Sequence, residues 1–123
     1  MYKLILILLF LLLFLPAQPR AEPERYYQLQ WCAQNNGTAE VVMADGTRCD
    51  CVTERYAVEF DFGCKWAEGI SQALYYSCLT GKKPLLVLIV KDDGERDRYL
   101  KRVSTLVKEY DLPIVIEWIR GER

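Results

Sequence analysis

RCDCVTERYAVEFDFGCKWAEGISQALYY, residues 48–76, decides how this chain folds. Its central run YAVEFDF, residues 56–62, alternates strictly. Tyr56, Val58, Phe60 and Phe62 fall on one face of a strand, and Ala57, Glu59 and Asp61 on the other. Residues 65–80 then carry a helical pattern, closed by Gly81 with Pro84 three residues later. The run LLVLIV at 85–90 is continuously apolar, as in a strand buried on both faces. Strand, helix-length segment and strand make a β-α-β unit with parallel strands, expected to be right-handed. Glu59 and Asp61 therefore stand toward the carboxyl end of a strand, where open α/β sheets bind ligands.

Upstream, residues 24–34 read as a short helix with Tyr27 and Trp31 facing inward and Leu29 and Cys32 beside them, ended by Asn35-Asn36-Gly37. A strand at 40–44, the turn Asp45-Gly46 and a returning strand at 48–53 form a hairpin. On the returning strand Cys49 and Cys51 share a face and Asp50 looks the opposite way. Within the helix at 65–80, Trp66, Ile70, Ala73, Leu74 and Ser77 suit the packing face, while Lys65, Glu68, Gln72 and Tyr76 form a polar row along another. Lys65 is thereby placed to lean over the two acids. Downstream, a helix at 95–110 turns Tyr99, Val103, Leu106 and Val107 inward and leaves Arg96, Arg98, Lys101, Arg102 and Lys108 in water, before a last strand at 114–119.

Residues 1–17 have the grammar of a secretory signal peptide: a positive start at Lys3, twelve apolar residues at 4–15, then Pro16-Ala17. Twelve residues fall short of the roughly 20 that span a bilayer, so no stable membrane association is expected after cleavage. Residues 18–23 read as a polar linker with two prolines, and 24–123 as one domain. An exported chain is periplasmic or secreted, where its five cysteines favour disulfides. The odd count leaves one over and the connectivity open. Cys32 to Cys51, joining the first helix to the second strand, is the preferred bridge. With no histidine and no C-x-x-C pair, zinc is disfavoured. Setting Lys3 aside leaves fifteen basic against seventeen acidic residues, a formal charge of −2, so any nucleic-acid contact must be local.

The element order α-β-β-β-α-β followed by α-β, together with Asp50, Glu59, Lys65, Gln72 and Tyr76, resembles the PD-(D/E)xK nuclease superfamily. The resemblance implies a restriction-endonuclease-like α/β fold: an αβββαβ core with an added C-terminal helix and strand on a mixed sheet. It also implies a Mg2+ (or Mn2+) site and a nucleic-acid substrate. In that family an acid on the second strand and one on the third bind the metal, and a lysine follows two residues later. Asp50 and Glu59 match the acids. Asp61 stands where the lysine belongs, and Lys65 at the helix start is expected to supply the amine instead. Gln72 and Tyr76 match a Gln-x-x-x-Tyr spacing found in several branches and are expected to bind substrate.

The chemistry agrees with those residue types. Phosphodiester hydrolysis needs a hard cation held by oxygen ligands and a positive charge near the developing phosphorane. Asp50, Glu59 and Asp61 supply the first, and Lys65 the second. Taken singly, alternating acids on a strand are an ordinary solvated face. Under a helix, uncompensated carboxylates are costly and need a reason. The competing reading is a nuclease-fold module that has lost catalysis and acts by binding.

Overall fold

The computed structural model describes residues 21–122, so the segment read as a signal peptide, residues 18–20 of the linker and Arg123 lie outside the described residues. The elements are α1 (Glu24–Gln34), β1 (Thr38–Val42), β2 (Arg48–Val52), β3 (Tyr56–Phe62), a 3-10 turn (Gly63–Lys65), α2 (Trp66–Thr80), β4 (Lys83–Val90), α3 (Asp93–Glu109) and β5 (Val115–Arg120). The five strands form one mixed sheet in sequence order. The β1–β2 and β2–β3 pairs are antiparallel, whereas β3–β4 and β4–β5 are parallel. No described helix is long and apolar enough to cross a membrane.

Alternation sorts the core into two layers. On one face, Val58 and Phe60 of β3 join Leu85 and Val87 of β4 beneath α1, with Trp31 edge-on to Phe60. On the other, Leu86, Leu88 and Val90 of β4 meet Ile70 and Ala73 of α2 and Tyr99 and Val103 of α3. The β4 run is buried on both faces, which is why it shows no polar alternation. Pro84 is tolerated inside β4 because the Lys83 N–H bonds to Arg55 O and pairing with β5 begins only at Leu85.

Several boundaries move for local reasons. β1 stops at Val42 rather than 44 because Met43 opens the turn: its N–H donates to Thr47 O, and the Gly46 N–H donates to Met43 O. Gly46 takes φ 86, which a side chain would resist. α3 starts at Asp93 rather than 95 because Asp92 caps it, accepting from the Glu95 N–H at 2.7 Å while Glu95 Oε2 accepts from the Lys91 N–H at 2.8 Å. α2 begins at Trp66, one residue late, because Lys65 ends the 3-10 turn. It finishes at Gly81, φ 69, as expected.

The bridge joins Cys32 of α1 to Cys51 of β2. Gly37 lies so close against it that a Cβ there would collide with both sulfurs. The expectation that Cys49 shares a face with Cys51 fails. Cys51 packs with Cys32, Val58 and Phe60, whereas Cys49 packs with Ala57 and Tyr76. The pleat is broken at the residue between them, Asp50. Arg96 also departs from the solvated face assigned to it: its guanidinium lies 5.0 Å from the Trp118 ring centre and pairs with Asp93 and Asp97.

Candidate functional site: a buried acidic cluster

The break at Asp50 creates the site. β2 is paired to β3 only through Cys51↔Val58 and Val52↔Ala57. Beyond that point side chains replace the backbone ladder. The Asp50 N–H donates to Glu59 Oε1 at 3.1 Å, and the Phe60 N–H donates to Asp50 Oδ2 at 2.9 Å. Gln28 Nε2 of α1 donates to the Asp50 carbonyl at 2.8 Å. On the β1 side, Glu40 sits between the Ala39↔Cys51 and Val41↔Cys49 pairs with φ 54, a left-handed conformation costly for glutamate. Each carboxylate thus accepts from the other strand's backbone, which fixes both side chains without a loop.

These acids are buried without matching positive charge. Glu59 and Asp61 are 3% and 4% exposed. Burial, then the charge of Asp50, pushes the Glu59 carboxyl up to about 9. Burial, then the charge of Glu24 and a hydrogen bond with it, pushes Asp61 up to about 8. Glu24 and Asp50 are raised too, chiefly by burial. The hydrogen bonds lower Asp50 and raise Glu59, and lower Glu24 and raise Asp61. Burial and mutual repulsion thus favour keeping a proton within each pair, Glu59 with Asp50 and Asp61 with Glu24. As a carboxylate, Asp61 leaves Oδ2 buried with no donor. That atom lies under α2 at Gly69, where a Cβ would come within 3.1 Å of it and 2.6 Å of Leu86 Cδ1.

The other expected residues are less closely gathered. Lys65 is exposed on the 3-10 turn. Its charge is felt at Glu24 and Asp61, lowering both, yet it forms no ion pair among the described residues. Tyr76 is buried at 5% in the layer with Cys49 and Ala57, and its phenol is pushed up chiefly by that burial. Gln72 is half-buried. No hydrogen bond joins Gln72 or Tyr76 to an acid of the cluster among the described residues. Cys49, buried beside Glu59, has its thiol pushed up to about 12 by burial and then by that charge, so it is inert rather than nucleophilic.

Two contributors escape a reading of single elements: Glu24 and Gln28, both on α1. Their signal is the spacing Glu24, Gln28, Cys32, one helical stripe at i, i+4 and i+8. Once Cys32 is bridged to Cys51, the rest of that stripe must run alongside β2 and its Asp50.

Oxygen donors only, several of them, with excess negative charge and an orphaned buried oxygen, suit a hard divalent cation. Among the described residues no group of three or more acidic, histidine or cysteine side chains is placed to hold a metal ion. A hollow of about 360 Å3 between Trp31, Asn36, Arg55 and Tyr56 opens at the opposite end of the strands, away from the acids. Three comparisons of the chain, with protein-family profiles, curated proteins and solved structures, return no match.

Proposed function

We propose that this chain is an exported, metal-dependent nuclease of restriction-endonuclease-like fold, working in the periplasm or outside the cell on DNA or RNA. One observation carries the reading: Asp50 and Glu59 each accept from the other strand's backbone across a break in the sheet, and Asp61 beside them is buried with an oxygen that has no donor. Burying such a group costs stability, and a sheet that needed only stability would place apolar residues there.

Asp50, Glu59 and Asp61 would hold Mg2+ or Mn2+, with Glu24 added to the set expected from sequence. Bound there, the cation makes a water more acidic and offsets charge on the phosphate. The bracket of backbone N–H groups orients the Asp50 and Glu59 oxygens before any ligand arrives. Glu59 and Asp61 ligate only when ionised, so cation affinity rises with pH through about 8 and about 9. Lys65, exposed and without an ion pair among the described residues, would neutralise a phosphate entering beside Asp61. Gln72 and Tyr76 serve as helix-borne supports of that wall.

The test is degradation of plasmid and of single-stranded RNA by the purified chain in Mg2+ or Mn2+ against EDTA, beside Asp50→Ala and Glu59→Gln. Metal-dependent cleavage lost in both variants supports the reading, and equal behaviour of all three removes it. A second reading, a nuclease-fold module that binds without cutting, is favoured by Asp61 in the usual lysine position. It predicts nucleic-acid or protein binding indifferent to metal and to both substitutions.

A further inference from the structure

α3 carries a cationic stripe that the acidic cluster does not use. Arg98, Lys101, Arg102 and Lys108 are all exposed and, at i, i+3, i+4 and i+10, fall on one broad helical face. The neighbouring cations are already taken: Arg96 pairs with Asp93 and Asp97, and Arg120 pairs with Asp93. No acid pairs with any of the four stripe cations among the described residues. Acidic residues of α3 lie mostly in its first turns, where Asp93 and Glu95 stand, so from Arg98 onward the helix is cationic apart from Glu109.

The stripe is also anchored. The Arg98 and Arg102 guanidinium carbons lie 5.9 and 5.6 Å from the centre of the Tyr99 ring, within cation-π reach. That ring packs on Gly63, where a Cβ would overlap it. Gly63 opens the turn that ends in Lys65, whose charge reaches Asp61 and Glu24. From the buried acids outward, Lys65, the buried Tyr99 ring beneath Gly63 and the two exposed arginines therefore lie in succession.

We propose that the exposed face of α3, through Arg98, Lys101, Arg102 and Lys108, docks the phosphodiester backbone of a nucleic acid and leads it past Lys65 to the acidic cluster. Ten residues of helix span about 15 Å. At about 3.4 Å of axis per phosphate on a strand, that is the length of roughly four successive phosphates. The contact reads charge, not bases, so it takes any sequence. A chain of net formal charge −1 needs such a local concentration, because its average field repels the same ligand. This inference rests on the nuclease reading for the direction of the track, and its test separates the two.

The experiment measures binding of a fluorescent 20-nucleotide strand and its duplex to the full chain, kept soluble in a non-ionic detergent, in EDTA across a salt series. The Arg98→Ala/Lys101→Ala/Arg102→Ala variant is expected to bind at least tenfold more weakly. Its dependence of log K on log salt should flatten by roughly 0.7 to 0.9 per lost phosphate contact. Arg55→Ala/Lys83→Ala, at the far end of the sheet, should leave both unchanged, and melting curves verify that each variant folds. Equal loss in both variants, or none in the first, overturns the proposal. So does a stripe that responds to vesicles of anionic phospholipid and not to the oligonucleotides. Stripe-dependent binding without cleavage in Mn2+ would sink the nuclease reading and leave the docking face standing. Cleavage with an unchanged KM in the triple variant would do the reverse.

Discussion

The two faces of β3 are built from seven consecutive residues and answer to opposite rules. Val58 and Phe60 are fully buried among aliphatic and aromatic neighbours beneath α1, and nothing on that face needs a partner outside the chain. Glu59 and Asp61, one residue away, are almost as deeply buried, yet they repel their neighbours and hold protons at pH values where carboxyls are normally ionised. One face is where the strand gains stability, and the other is where it gives some up. The difference teaches that burial alone does not mark a core: what separates the faces is whether the buried atoms satisfy one another.

That contrast can be broken from either side, and the expected effects fall in order. Phe60→Ala should cost about 3–5 kcal/mol in urea unfolding, since it empties a buried aromatic site against Trp31. Opening the Cys32–Cys51 bridge by Cys32→Ser/Cys51→Ser should cost about 3 kcal/mol, the closure entropy of a loop of this length, and it should weaken cation binding as well by loosening Glu24 and Gln28. On the acidic face the pattern should invert. Glu59→Gln keeps an acceptor for the Asp50 N–H, so the chain should still fold while metal-dependent cleavage falls at least about 100-fold, or about 2.7 kcal/mol. A variant that both unfolds and loses activity would erase the distinction.

The smallest effect sharpens it most. Folded Glu59 and Asp61 keep protons that the unfolded chain releases near pH 4 to 5. Their contribution is therefore full below that range and lost as pH rises through about 8 and about 9. In EDTA the melting temperature should decline from pH 5 to pH 9. Glu59→Gln should flatten the decline and stabilise the chain by about 1–2 kcal/mol at pH 8, because glutamine is neutral there without having to take up a proton on folding. Mn2+ should restore the native chain and not the variant. A native melting temperature that climbs over the same interval would contradict the assigned protonation.

Much of this architecture is written in local pattern. The alternation of 56–62 places β3 to the residue, the unbroken apolar run marks β4 as the strand covered on both sides, and Gly81 stops α2. The Cys32–Cys51 bridge is also as expected. What escapes is non-local. Nothing near Cys49 shows that the pleat will break at Asp50, because the cause lies in Glu40 on the next strand and in the Glu59 side chain across the gap. Glu24 reads as an ordinary first-turn acid until the bridge fixes which way α1 lies. Arg96 reads as solvated because its partner Trp118 is on a different element. Periodicity reports which side of an element is inward, and it is silent on which elements meet.

The crossed contacts at Asp50 and Phe60 have an experimental consequence of their own. In an ordinary sheet, amide protons at these positions would be shielded by carbonyl oxygens of the adjoining strand, and their exchange with deuterium would report strand separation. Here both are shielded by carboxyl oxygens. Their exchange rates will follow the ionic state of two side chains, giving two backbone signals that track occupancy of the cluster directly in the resting protein.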